Sequence, residues 1–295
     1  MSNKLKLSPV IAGCMKWGNW GSGFSIAQYL QLIEDCLANN ITSFDHADIY
    51  GDYTVEEEFG KALKQKPSLR QQMQIITKCG IRRFTPNRPI HKISSYDTGK
   101  EHIIDSAERS LKNLATDYLD ALLIHRPDPL MDPHSIGEAF TRLKQQGKVL
   151  HFGVSNFTGS QTEMMLSGFP VEFNQIEISV LRLEPFHNGQ LDQCIQRNII
   201  PMAWGPLGGG KLINEPDDEK NKRILAVARI LADKYNAGPE QILLAFLFKH
   251  PSGIIPVMGT TKIERLRSAY DASQIKIDRE EWFMLWRAST GHEVP

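Results

Sequence analysis

Four side chains in this sequence have the types and placement for proton chemistry. Asp45 and Tyr50 lie in FDHADIYG, Lys78 in IITKCG and His125 in ALLIHRPD. Asp45, Lys78 and His125 each stand near the end of a different short apolar run, and Tyr50 follows the first of these on a turn. A tyrosine, with an ordinary pKa of about 10, is a neutral proton donor at working pH. A neighbouring ammonium stabilises the phenolate it leaves behind. Lys78 could supply that charge, Asp45 could pair with Lys78 and fix its position, and His125 could align a carbonyl oxygen. A reaction that needs a proton donor but no nucleophile or metal is carbonyl reduction, whose hydride would come from a nicotinamide. Plainer readings stand beside this one. Asp45 and Lys78 could be a structural ion pair, Tyr50 a turn aromatic and His125 a hydrogen-bonded core histidine. A Schiff-base lyase using Lys78 is a further alternative, although a partner such as Asp45 favours the charged amine, the wrong state for attack.

The elements that must position these groups alternate along the chain. Strand-like apolar runs occupy 10–15, 41–46, 74–79, 119–125, 149–155, 173–179, 199–204 and 253–259. Helical periodicity marks 26–38, 55–63, 103–114, 136–143 and 191–196, then 221–235 and 239–249. Asp278 reads as the N-cap of a final helix through Trp286. Eight strands alternating with helices predict an α/β fold, a (β/α)8 TIM barrel with additional C-terminal helices, as one domain over 1–295. A doubly wound sheet would place a glycine-rich phosphate turn after its first strand, and Lys16-Trp17-Gly18-Asn19-Trp20 is no such turn. Side chains alternate faces along a strand. The last inward residues are therefore Asp45, Lys78, His125, Ser155, Gln175 and Trp204, a ring at the C-terminal mouth, where barrel active sites lie. The polar stretch from Arg82 to Gly99 is a candidate active-site loop.

Bulk properties narrow the function classes. Among 295 residues, Lys plus Arg and Asp plus Glu both number 34, so no net charge draws the chain to a polyanion or an acidic membrane. Nucleic acid and membrane are not expected partners. The cysteines Cys14, Cys36, Cys79 and Cys194 form no CxxC pair and no zinc spacing. They read as reduced thiols of a cytoplasmic protein. Lys4 and Lys6 precede an apolar stretch from Pro9 to Met15 that fits a strand better than a leader.

Beyond these residue-level arguments, the chain resembles the aldo-keto reductases over nearly its whole length, looking most like the bacterial YdhF-like oxidoreductases. The motifs that carry the resemblance are FDHADIYG, ITKCG, LDALLIHRPDP, GKVLHFGVSNF, NQIE, AWGPLGGG and PVMGTTKIERL. It implies a barrel binding NADPH in preference to NADH, with Tyr50 as the acid and Asp45, Lys78 and His125 as its partners. It implies that Ser155, Asn156 and Gln175 hold the nicotinamide carboxamide and that Trp204 stacks on the ring, where many members carry tyrosine. The backbone of Gly205, Pro206, Leu207, Gly208, Gly209 and Gly210 would follow the pyrophosphate. Gly259, Thr260, Thr261 and Arg265 would surround the adenosine 2′-phosphate, a role that hydroxyls, helix N–H groups and a planar cation suit. Three positions depart from the usual pattern. Gly259 stands where many members have lysine, His46 where threonine is usual, and Met15 where an aromatic often lines the pocket.

Other motifs resolve against rival functions. Gly205 to Lys211 has the GxxxxGK spacing of a nucleoside triphosphate loop, but Leu212 replaces the hydroxyl residue that would ligate magnesium. Ile213 to Pro216 is not expected to open a helix. Asp45-His46-Ala47-Asp48 lacks the HxH pair of a metal-hydrolase barrel, so no metal is expected and His46 is read as packing. Met15, Trp17 and Trp20 are the candidate substrate pocket, with rim packing an equal reading for the two tryptophans. A small-molecule carbonyl substrate is the expected partner, and a monomer or weak dimer the expected state. The alternative function is a non-catalytic NADP(H)-binding regulatory module of the same fold.

Overall fold

The computed structural model describes residues 5–215 and 218–295; Lys4 and Pro216, both used above, lie outside them. Ten strands appear in order: β1 (Ile11–Gly13), β2 (Ser43–Asp45), β3 (Gln74–Cys79), β4 (Ile81–Arg82), β5 (Ser95–Tyr96), β6 (Leu119–Ile124), β7 (Val149–Ser155), β8 (Phe173–Glu177), β9 (Ile200–Trp204) and β10 (Ile255–Met258). The helices are α1 (Ile26–Ala38), α2 (Val55–Gln65), α3 (Lys100–Asn113), α4 (Pro133–Gln145), α5 (Gly159–Gly168), α6 (Gln190–Arg197), α7 (Lys211–Asn214), α8 (Glu219–Tyr235), α9 (Pro239–Phe248), α10 (Ile263–Ala272) and α11 (Arg279–Thr290). Eight strands close a parallel barrel in the order β1-β10-β9-β8-β7-β6-β3-β2, while β4 and β5 form a separate two-stranded hairpin. No helix among the described residues is long and apolar enough to cross a membrane.

Two apolar clusters fix the architecture. The inner one fills the barrel with Ile11, Ile76, Ala121, Leu123, Phe173, Met202 and Val257, and Leu5 and Leu7 pack against it. The outer one lies between strands and helices. Alternation then dictates the rim. Two residues beyond Ile76, Leu123, Phe173 and Met202, the same inward face carries Lys78, His125, Gln175 and Trp204. Gly153 belongs to this interior as well. A Cβ there would fall 2.8 Å from both the Cβ and the carbonyl oxygen of Phe173, so the missing side chain lets β7 and β8 approach.

Helix ends match their capping residues. Ser25 and Gln28 form a capping box for α1, which buries Tyr29, Leu32, Ile33 and Cys36 at spacings of three and four. Asp278 and Glu281 do the same for α11. Two expectations change. The stretch from Arg82 to Gly99 is not all loop, because it contains the β4–β5 hairpin. The chain after Gly210 does open a helix, the single turn α7, which stops at Asn214.

Candidate active site

Lys78 is the centre of the mouth. Its ammonium has no exposure and donates to both Asp45 carboxylate oxygens at 2.7 and 2.8 Å, to the His46 carbonyl at 2.8 Å and to the Tyr50 phenol oxygen at 3.2 Å. Burial alone would push the Lys78 amine down, but the charge and hydrogen bonds of Asp45, helped by Tyr50, hold it above its ordinary value. Burial pushes the Tyr50 phenol up, and the Lys78 cation pulls against that rise. An ammonium has only protons to offer. Tyr50 Oη is therefore the acceptor in its bond with Lys78, and its own O–H is left to donate elsewhere.

The turn after β2 brings Tyr50 over Lys78. His46 N–H donates to Ile76 O and Asp48 N–H to Lys78 O, which extends the β2–β3 pairing past the strand end. The chain then reverses through Gly51, Asp52 and Tyr53, all with left-handed φ of 59°, 55° and 73°. Such a run is costly for residues with a Cβ and persists only where surroundings hold it. Asp52 supplies the hold. Its carboxylate accepts from Trp20 Nε1 at 3.2 Å and from Arg83 Nε at 2.8 Å, and its carbonyl accepts from Asn87. The Arg83 guanidinium lies 4.9 Å from the centre of the Trp20 ring.

His125 faces Tyr50 edge to face, with ring centres 6.1 Å apart. Burial, followed by the Lys78 and Arg126 charges, holds its pKa well below the ordinary value, so the ring stays neutral. Its Nδ1 is buried without a hydrogen-bond partner, which leaves Nε2 as the nitrogen for a ligand.

The remaining ring residues are joined to this group. Gln175 Nε2 crosses the barrel to donate to Asp45 Oδ1 at 2.8 Å. Ser155 Oγ donates to Gln175 O at 3.0 Å and accepts from Asn156 Nδ2 at 2.8 Å. Asn156 Oδ1 accepts from Trp204 Nε1 at 2.8 Å, which orients the indole. All three groups expected from sequence to meet a carboxamide thus also tie the protein to itself: Ser155 to the Gln175 carbonyl, Gln175 to Asp45 and Asn156 to Trp204.

Past Trp204 the backbone turns through Gly205, Pro206, Leu207, Gly208, Gly209 and Gly210, the four glycines having φ between 61° and 94°. A Cβ on Gly209 or Gly259 would meet nothing within 4 Å, so both expose bare backbone. Helix α10 begins at Ile263 with no side-chain cap, unlike α1, α4, α5, α8 and α11. Arg265 lies in its first turn, Thr260 Oγ1 accepts from Lys262 N–H, and Thr261 Oγ1 accepts from Ser22 of the first mouth loop at 3.0 Å.

Of the expected pocket residues, Met15 is 39% exposed and Trp20 is half-buried with its ring 6.3 Å from that of Tyr50. Trp17 is not part of the mouth. A short 3-10 turn after β1 swings it outward, where it is fully buried against Tyr29, Phe44 and Phe59. His46 packs edge-on to Phe59 at 4.5 Å, with neither ring nitrogen partnered. Asp52 and Arg83 are functional supports that the sequence motifs do not mark. The available signal was an aspartate just past a turn glycine, the kind of residue that tolerates left-handed backbone. No group of three or more His, Cys, Asp or Glu side chains among the described residues is set to hold a metal ion.

The chain is similar to known proteins over nearly its whole length. Residues 9–288 match the model of the Aldo/keto reductase family. Oxidoreductase YdhF of Escherichia coli (strain K12) is 44% identical, over 98% of this chain and 96% of its own. A 6-dehydroglucose reductase of Agrobacterium fabrum is 39% identical, over 100% of this chain and 98% of its own. Among solved structures, that of the thermostable aldo-keto reductase Tm1743 with the inhibitor epalrestat superposes with a TM-score of 0.81 at 25% identity, covering 97% of each chain.

Proposed function

The chain belongs to the aldo/keto reductase family and is an enzyme of the oxidoreductase class, and we propose that it reduces an aldehyde or ketone to an alcohol with Tyr50 as proton donor. NADPH, when bound, supplies the hydride to the carbonyl carbon. The observation that carries this reading is the donor count at Lys78. Because the ammonium can only donate, the Tyr50 phenol keeps its own proton free for a substrate oxygen. As that proton leaves, the phenolate forms beside a buried cation that Asp45 holds in place. Neutral His125 donates from Nε2 to the same oxygen and sets its direction, while its bare Nδ1 needs no acceptor in the wall.

The residues present fit the cofactor. Trp204, with its indole pinned by Asn156, offers a face for the nicotinamide, and Ser155, Asn156 and Gln175 have amide and hydroxyl groups beside it for the carboxamide. The glycine turn from Gly205 to Gly210, with bare backbone exposed at Gly209, suits the pyrophosphate. Gly259, Thr260, Thr261, Arg265 and the uncapped start of α10 suit a 2′-phosphate, which favours NADPH over NADH. That one relative is named for reduction of 6-dehydroglucose supports carbonyl reduction here.

Replacing Tyr50 by Phe removes the donor and leaves Lys78 bonded to Asp45 and the His46 carbonyl. The variant is expected to oxidise NADPH on a carbonyl panel at least about a thousandfold more slowly, while NADPH still quenches tryptophan emission. Turnover retained in the variant would remove Tyr50 as the acid. A native protein that binds NADPH but reduces no carbonyl would instead be a non-catalytic module.

A further inference from the structure

We propose that Arg126 selects carbonyl substrates bearing an oxyanion, such as a carboxylate, close to the carbonyl; this deepens the reductase reading and rests on it. Arg126 directly follows His125 at the end of β6. Its guanidinium lies 5.9 Å from the centre of the Trp204 ring, and its charge bears on His125. It therefore lies near both the group that would orient the carbonyl and the indole that would support the nicotinamide.

Among the described residues Arg126 makes neither an ion pair nor a side-chain hydrogen bond, although it is half-buried. The acids within reach of its sequence and register are committed elsewhere. Asp128, two residues on, is buried and accepts from Thr98 Oγ1 and from Leu130 N–H. Glu177, which pairs in register with Trp204, lies 3.7 Å from Arg182. By contrast, the arginines of the β4–β5 hairpin end have partners, Arg82 with Asp97 and Arg83 with Asp52. A half-buried guanidinium with five donors and no acceptor is poised for planar, bidentate contact with an oxyanion. Its place beside His125 puts that contact on the substrate, not at the adenosine end of the cofactor, where Arg265 lies.

The test compares kcat/KM for succinic semialdehyde, glyceraldehyde and butanal, all with NADPH, in the native enzyme and in Arg126→Met and Arg126→Lys. A charge-assisted hydrogen bond predicts that the native enzyme prefers succinic semialdehyde to butanal by about tenfold or more. The preference should appear in KM, shrink to about twofold in the methionine variant, and return in part with lysine. NADPH affinity should hold in both variants. Equal use of the semialdehyde and butanal, a preference for glyceraldehyde over the semialdehyde, a preference surviving Arg126→Met, or weakened NADPH binding in place of weakened substrate each overturns the assignment. If no aldehyde is reduced at all, the reductase reading fails separately, and butyrate binding to the NADP+ complex still decides the role of Arg126. Butyrate should bind about tenfold more weakly to Arg126→Met than to the native protein; equal binding overturns the assignment.

Discussion

At the scale of single residues, the site depends on which groups can give a proton and which cannot. Lys78 spends its donors on Asp45, the His46 carbonyl and Tyr50, so the polarity of the relay is set by valence. His46 backs this arrangement with a ring that burial, and then the Lys78 charge, drive down to a pKa of about 3. The native protein thus refuses a proton that the unfolded chain accepts below pH ~6.5. The stability from the neutral ring is complete above that pH and is lost as pH falls toward 3. Buried Asp48 and Glu56, raised by burial, act with the opposite sign, because the native chain holds protons there that the unfolded chain has released. A difference between variants isolates the histidine. From pH 7.5 to 5.5, urea denaturation should show the native protein losing about 1.4 kcal/mol more than His46→Thr. Equal losses would mean that His46 gains a partner in solution. The gathering of Asp45, Lys78 and His125 at the mouth was legible in the sequence because polar residues at inward strand positions contradict a packed barrel interior. Of the two readings held for Trp17, the pocket one gives way to packing, because the 3-10 turn after Gly13 carries the side chain into the core against Tyr29, Phe44 and Phe59.

At the scale of elements, a helix was legible where an apolar stripe marks it and illegible where the stripe is weak, even behind a capping box such as that of α5. Helix α1 was read from Ile26 to Ala38 on the apolar spacing of Ile26, Leu30, Ile33 and Leu37; of these only Ile33 is fully buried, and Tyr29, Leu32 and Cys36 complete the inner face. Helix α5 was missed: only Thr162 and Met165 are buried along it, too few to make a stripe. The β4–β5 hairpin was missed because two-residue strands leave no periodicity; tertiary links from Arg83 and Asn87 to Asp52 hold it. Close approach between helices makes a separate prediction. A Cβ on Gly60 of α2 would lie 1.9 Å from the Asn113 carbonyl at the end of α3, a backbone atom that cannot swing away. Gly60→Ala should therefore force α2 and α3 apart and cost about 1–3 kcal/mol, measured as a lowered thermal midpoint. An unchanged midpoint would show that this crossing relaxes freely. Lys78 lies on β3, which packs against α3 and is tied to α2 by the bond from Thr77 Oγ1 to Glu56, so a lowered kcat should accompany the lowered midpoint.

At the scale of the whole molecule, the barrel divides its labour along the chain. The groups proposed for acid–base chemistry, Asp45, Tyr50, Lys78 and His125, come from the part before β7. The groups assigned to the cofactor, from Ser155 to Arg265, come from the part beginning with β7. Losing one set should spare the other. Trp204→Phe, one of five tryptophans, should lose most of the NADPH-induced emission quenching and weaken NADPH binding by about tenfold or less. Thermal stability should stay close to native. Quenching that persists in full would assign the signal to Trp20 instead. Side-chain hydrogen bonds stitch the halves at the mouth: Gln175 to Asp45, Asn156 Nδ2 to the His125 carbonyl at 3.4 Å, and Ser22 Oγ to Thr261 Oγ1 at 3.0 Å. The Gln175 bond spans opposite sides of the barrel, since β2 and β8 lie four strands apart in either direction. That bond is a seam across which parts can be exchanged. A chimera joined after Gln146, with β7 onward taken from a relative of different nucleotide preference, should inherit that preference while keeping its own proton donor, provided the graft brings a glutamine to meet Asp45.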